Sequence, residues 1–145
     1  MAVPGDFKLL TGTAIASKKY WGYPDELINL WRIDLEVSED YILRNEVVKV
    51  YEGSTFIGFY GLKMQENGIV EIDHFWLTTD NIKKGYGRLI FAQMLNHLKA
   101  NGHSKATLIA EPNAKGFYDK MRGKVVSQFE SKISGRFLDI YEFVV

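Results

Sequence analysis

Residues 81–98, NIKKGYGRLIFAQMLNHL, decide how this chain is read. Ile90, Met94 and Leu98 repeat at helical spacing with Phe91 and Leu95 alongside, which predicts an amphipathic helix over about Gly87–Ala100. Asn101-Gly102 then supplies a left-handed stop. Gly85 and Gly87 stand where that helix begins. Glycines let main-chain N–H groups approach an anion without Cβ obstruction, and the first turn of a helix carries unpaired donors and partial positive charge. Lys83, Lys84 and Arg88 add mobile cations at the same place. The segment therefore reads as a phosphate-binding turn, against the competing reading of plain loop geometry.

Upstream, Val47–Tyr51, Thr55–Lys63 and Ile69–Leu77 read as strands separated by turns at Glu52-Gly53 and Glu66-Asn67-Gly68, an antiparallel meander. Residues 11–20 and 24–32 read as two short helices divided by Gly22-Tyr23-Pro24, and Ser38 is suited to cap a third. Downstream, Ala106–Glu111 is a strand ended by Pro112. Asn113 is placed to cap a short helix carrying Phe117, Tyr118 and Met121 up to Gly123. Lys124–Glu130 and Arg136–Val145 are strands about a Ser134-Gly135 turn. The strand–helix–strand order in the middle predicts a right-handed parallel crossover inside an otherwise antiparallel sheet. The expectation is an α/β chain of α+β type, one domain over residues 1–145, with no linker and no internal repeat.

Composition narrows the function. Apolar residues make up 46% and aromatics 14%, an aromatic surplus of which some members are expected to line a pocket. With 18 basic and 18 acidic side chains the formal net charge is zero, so no global field holds nucleic acid or an anionic membrane, and neither is expected as a partner. Any anion must be bound locally. The absence of cysteine excludes disulfides, thiolate metal sites and a cysteine nucleophile. The start, MAVPGDFKLL, lacks the apolar run of a signal peptide, and Phe56–Leu62 is too short to cross a bilayer, which makes a cytoplasmic protein the expectation. His74, His97 and His103 form no HExxH pattern and read as surface or capping groups, so no metal is expected. A Gly-x-Ser-x-Gly elbow is missing, and Gly-Arg-Leu at 87–89 lacks the hydroxyl of a nucleotidase loop.

From about residue 47 to 145, and most clearly over Glu71–Gly123, the chain resembles the acetyl-CoA-dependent N-acetyltransferases of the GNAT fold, relatives of the histone acetyltransferases. That family's pyrophosphate signature is Gln/Arg-x-x-Gly-x-Gly/Ala; Ile82-Lys83-Lys84-Gly85-Tyr86-Gly87 matches both glycines and departs at Ile82. EPNAKGFYDKMRGKVV is similar to the family's segment of strand, Asn, helix and Phe-Tyr-x-Lys-x-Gly, and EIDHFWL to its central strand.

The resemblance implies acetyl-CoA as acyl donor and a primary amine as acceptor. It implies that residues 83–88 meet the pyrophosphate, that Asn113 meets the pantetheine arm, and that the backbones of Phe75 and Leu77 meet pantetheine and the acetyl carbonyl. Phe117 and Lys120 are counted with the same cofactor segment. Tyr118 is the implied proton donor to the departing thiolate; its phenol, with a pKa near 10, faces a thiol of about 8.5 by analogy with cysteine. An amine resembling lysine must first lose a proton. Glu71 ranks first for that task and Asp73 second, both on the face of the strand that carries Phe75 and Leu77 if alternation is regular. Plain alternatives exist for each: a solvated edge carboxylate, a packing tyrosine, and for Asn113 a helix cap.

In this fold the acceptor enters beside the N-terminal helices and the last hairpin. Tyr20, Trp21 and Tyr23 are candidate walls there and Arg32 or Arg136 a candidate carboxylate partner, against the reading of core aromatics and solvated arginines. A small-molecule amine is preferred to a protein acceptor, and a homodimer is left open. The rival reading is a domain of the same fold that binds acyl-CoA without turnover, or works only through a partner.

Overall fold

The computed structural model describes residues 1–65 and 67–145; the Glu66 position of the expected turn lies outside the described residues. Six strands form one mixed sheet in the order β1-β2-β3-β4-β6-β5, with β1 at Glu46–Glu52, β2 at Thr55–Met64, β3 at Val70–Leu77, β4 at Lys105–Ile109, β5 at Lys124–Glu130 and β6 at Phe137–Val144. The chain divides into two compact units, residues 1–62 with 74–87, and residues 63–73 with 88–145.

The first unit holds α1 (Phe7–Lys19), α2 (Asp25–Leu30), α3 (Arg32–Leu35) and α4 (Glu39–Arg44). The first helix starts at Phe7 rather than residue 11, because a 3₁₀ turn over Pro4–Asp6 runs into it. The Asp6 carboxylate accepts the Val3 N–H at 2.9 Å and pairs with Lys49 at 3.0 Å, which holds that entry in place. The helix expected over 24–32 breaks at Trp31, whose backbone leaves the helical region (φ −92°, ψ 1°) while its ring is buried. Ser38 caps α4 as expected, its Oγ accepting the Tyr41 N–H at 3.0 Å.

β1 pairs antiparallel with β2, from Glu46 opposite Leu62 to Glu52 opposite Thr55. Gly58 in β2 lies against the main chain of β3: a Cβ there would run into the Trp76 carbonyl oxygen, so only glycine lets the two backbones approach. Leu10, Ala14, Ile28, Val37, Val47, Phe59 and Leu62 form this unit's core.

The second unit takes α5 (Tyr86–Ala100) from Arg88 onward, together with α6 (Lys115–Lys120). Ile90, Phe91, Met94 and Leu98 are buried along one stripe of α5, and Gly102 closes the helix in the left-handed region at φ 84°. Each such side chain contributes about 1.5–3 kcal/mol by leaving water. The expected parallel crossover is present, with Val70 opposite Ala106 and Glu71 opposite Thr107. β4 and β5 both pair antiparallel with β6. β4 ends at Ile109 rather than Glu111, since Glu111 turns its carboxylate to the chain that follows.

Candidate functional site

The glycine turn ahead of α5 is set by main-chain conformation. Lys83 has φ 64° and Gly85 φ 87°, both in the left-handed region. Left-handed residues inside a turn redirect the main-chain N–H groups that follow, a local geometry from which anion nests are built. Lys83, Lys84 and Arg88 are exposed, so their cations are available to a charged ligand. Tyr86, the variable residue between the glycines, is half-buried and hydrogen-bonds Glu52 at the β1–β2 turn. Ile82 is extended (φ −70°, ψ 140°) and half-buried, so the departure from the family signature places an apolar side chain where that signature has a polar one.

On β3, Val70, Ile72 and His74 are buried while Glu71, Asp73 and Phe75 are half-buried, which keeps the two carboxylates and Phe75 on one face as alternation requires. Glu71 accepts a hydrogen bond from Gln65 Nε2 at 2.8 Å, and Asp73 lies 4.0 Å from Lys63. Partial burial, with the charge of Asp73, raises the Glu71 pKa above the ordinary carboxylate value; Lys63 and Gln65 work in the opposite direction. His74 is corrected from a surface group to a core one: its ring is 3% exposed, its Nδ1 accepts the Trp76 indole N–H at 2.9 Å, and Tyr41 meets it edge-on at 5.3 Å. The indole N–H supplies one hydrogen bond to the buried imidazole.

Asn113 is exposed and is not the cap of α6. The Glu111 side chain accepts the Asn113 main-chain N–H in a 3₁₀ turn over Pro112–Ala114, and Ala114 occupies the capping position without a side-chain bond. The Asn113 Nδ2 lies 3.3 Å from Glu111 Oε1, so the amide is oriented by the same carboxylate. Tyr118 is 8% exposed and is packed by Phe91, Phe117, Tyr141 and Phe143, with ring centroids between 5.3 and 6.3 Å. Burial raises its phenol well above the ordinary tyrosine value, with Glu111 adding to the effect, so the proton stays on at neutral pH. The α6 helix is tied to β6 on either side of Tyr118: Tyr141 Oη donates to Asp119 at 2.7 Å, and Lys115 pairs with Asp139. Lys120 is exposed and Phe117 half-buried.

Among the N-terminal candidates, Tyr20 and Trp21 meet edge-on at 5.4 Å, and Tyr23 meets Trp31 at 5.0 Å. The Lys18 ammonium lies over both Tyr23 and Trp31, at 5.0 and 4.7 Å from their centroids. Arg32 is exposed and Arg136 half-buried. A groove of about 350 Å³ that the sequence reading missed is lined by Lys8, Gly12, Thr13 and Ala16 of α1 together with Thr78 and Thr79. The available signal was the trio of small residues at 12, 13 and 16 on one helix face. Among the described residues no cluster of three or more metal-ligating side chains occurs, and no helix is long and apolar enough to cross a membrane.

Comparison with solved structures places the fold. The chain is similar to the PaiA N-acetyltransferase from Thermoplasma acidophilum in complex with coenzyme A, at 23% identity and TM-score 0.74, covering 99% of this chain and 96% of that one. It is similar to a GCN5-related N-acetyltransferase from Rhodopseudomonas palustris, at 17% identity and TM-score 0.79 over 99% and 92% of the two chains. The ribosomal-protein-S18-alanine N-acetyltransferase from Escherichia coli shares 13% identity and a TM-score of 0.62 over 75% and 77%. Identities this low establish the fold alone. No curated protein matches the chain significantly. The description of the acetyltransferase (GNAT) domain matches residues 28–128, well over half the sequence, and the chain belongs to that family.

Proposed function

We propose that this protein, acting as one domain, transfers an acetyl group from acetyl-CoA to a primary amine by direct attack, with a small molecule as acceptor. The observation that carries the reading is the left-handed pair Lys83 and Gly85 opening a helix of 15 residues, a main-chain anion cradle with three exposed cations beside it. Residues 83–88 hold the pyrophosphate; Asn113, Phe117 and Lys120 accompany the pantetheine arm. The thioester supplies an activated acyl group.

The chain's own groups then handle protons and orientation. Glu71 takes the proton from the acceptor ammonium, with Asp73 as the second carboxylate on that face; its raised pKa moves it toward the operating pH, where a base is most effective. The main-chain N–H at Leu77 holds the carbonyl oxygen, and Phe75 lines the same strand. As the carbon–nitrogen bond forms and the carbon–sulfur bond breaks, Tyr118 gives its proton to the sulfur, and the second proton leaving the new amide nitrogen restores the phenol through solvent. Tyr20, Trp21 and Tyr23 wall the acceptor, and Arg32 or Arg136 pairs with any carboxylate it carries.

The deciding experiment is thermal melting with and without acetyl-CoA, followed by an amine screen read by thiol release, which has no background from a cysteine-free chain. Ligand at about a hundred times Kd adds roughly 2.7 kcal/mol, several degrees of melting temperature. A rise that adenosine fails to reproduce, with thiol released by a small amine, supports the proposal. A rise without turnover on any amine supports an acyl-CoA sensor instead, and no rise at millimolar ligand removes the cofactor from the reading.

The pH dependence tests Glu71 separately. A base must be ionised, so kcat/KM should climb with pH through a limb lying above the ordinary glutamate value, and Glu71→Gln should remove that limb and lower turnover on the order of 100-fold. Stability moves the other way. A folded-state pKa above the unfolded one means the native protein binds the proton more tightly, so this contribution is full below the unfolded pKa and is lost as pH rises through the folded one. A variant with the wild-type pH profile would remove Glu71 from the mechanism.

A further inference from the structure

The turn that follows β4 is closed twice by its first residue. Ala110 donates its N–H to the Asp139 carbonyl at 2.9 Å, so the chain is still anchored to β6 as it reaches Glu111. Glu111 is extended (φ −62°, ψ 125°), as the proline after it requires, and its carbonyl accepts the Ala114 N–H at 2.9 Å. Its side chain closes the same turn again. One carboxylate oxygen, Oε2, accepts the Asn113 main-chain N–H, and the other, Oε1, lies 3.3 Å from Asn113 Nδ2. Because the main chain already closes the turn, the second of these contacts is not needed to form it.

That contact fixes a polarity. A carboxylate can only accept hydrogen bonds, whereas a primary amide has a donor end and an acceptor end. The Asn113 amide must therefore turn its NH2 to Glu111, which puts its carbonyl oxygen on the other side of an exposed side chain. We propose that Glu111 is a positioning residue that orients Asn113 as a hydrogen-bond acceptor, so that this position takes an amide N–H of the pantetheine arm rather than one of its carbonyls. The inference rests on the acetyl-CoA reading and goes further by assigning the sign of the contact. Each amide of pantetheine offers both an N–H and a carbonyl, so an unoriented Asn113 can meet either pole. An oriented one selects, and holding the amide in place before the cofactor arrives lowers the cost of ordering it. Glu111→Gln should invert the choice. The new side chain still has an oxygen to accept the main-chain N–H, but its nitrogen is a donor that pairs with the Asn113 carbonyl and turns the NH2 outward.

Calorimetric titration of the full chain compares coenzyme A with 3′-phospho-ADP, which is coenzyme A without the pantetheine arm. Glu111→Gln should weaken coenzyme A about tenfold and leave 3′-phospho-ADP unchanged. Asn113→Ala should cost a similar factor, and adding Glu111→Gln to it should cost nothing more, because Glu111 acts through Asn113. A paired exchange supplies the rescue. With Glu111→Gln and Asn113→Asp together, the new amide donates to one carboxylate oxygen and the other faces outward as an acceptor, so affinity for coenzyme A should return to within about twofold of wild type. An indifferent Glu111→Gln, an equal loss for both ligands, additive losses with Asn113→Ala, or a paired exchange without recovery would each overturn the proposal while leaving the acetyl-CoA reading in place. Failure of the wild-type chain to bind coenzyme A would overturn that reading and this inference with it. Circular dichroism on every variant separates a lost contact from a lost fold.

Discussion

Rings around β6 pack on one another, whereas those between α1 and α3 pack around a cation. Phe91, Phe117, Tyr118, Tyr141 and Phe143 form a closed network in which Tyr141 and Phe143 are each 1% exposed. Tyr23 and Trp31 instead share the Lys18 ammonium, and Tyr20 keeps 43% of its surface in water. A ring locked among rings has one position, and any hydroxyl it carries is desolvated, as the raised phenols of Tyr118 and Tyr141 record; the latter is pushed up to about 12 by burial and by Asp119. Around Lys18, Trp31 is likewise buried, whereas Tyr23 keeps part of its surface in water. The first arrangement fixes a ring by packing against other rings, and the second leaves one ring of its pair partly open to water.

The largest test of this contrast is Tyr118→Phe. If the network exists to present a phenol, the variant should lose about 100-fold or more in turnover, while stability changes by under about 1.5 kcal/mol because the ring contacts survive. Steady-state kinetics beside a urea melt reads both, and full turnover would reduce the network to core packing. The second test uses a pair of glycines. A Cβ at Gly123 would stand 2.7 Å from the Phe143 and Tyr141 rings, so Gly123→Ala should destabilise by roughly 1–3 kcal/mol. A Cβ at Gly12 in α1 meets nothing within 4 Å, so Gly12→Ala should stabilise by up to about 1 kcal/mol through helix propensity. Equal effects in urea denaturation would erase the difference in packing. The smallest is Lys18→Met, which removes the cation from Tyr23 and Trp31 and should lower stability by about 0.5–1 kcal/mol. No change in midpoint would mean that those rings do not depend on the lysine.

Sequence periodicity located α5, β1 and β5 within a residue or so, because their patterns reflect local geometry. It failed where a side chain's partner is remote or where several residues compete for one role. Asn113 and Glu111 can both accept a main-chain N–H, and only the turn at Pro112 decides for Glu111. His74 reads as polar until Trp76 is seen to satisfy it. The uncovered state of β5 was equally hidden, since Val-Val-Ser-Gln-Phe reads the same whether a helix lies over it or nothing does. Of the candidate site, the turn and Tyr118 were legible as motifs. The groove along α1 was not, because small residues leave no signature beyond their size.

The left-handed turn at Lys83–Gly85 bears on how such a chain can drift. A cradle made of N–H groups is specified by torsion angles rather than by side-chain identity, so Ile can stand at position 82 without changing the donors that follow. Lys83 holds its left-handed angle as a non-glycine residue, at a cost of about 1–2 kcal/mol, and Lys83→Gly would relieve it. Selection acting on such a loop sees conformation first and letters second. A turn specified in this way can keep its torsion angles while the residues around it change.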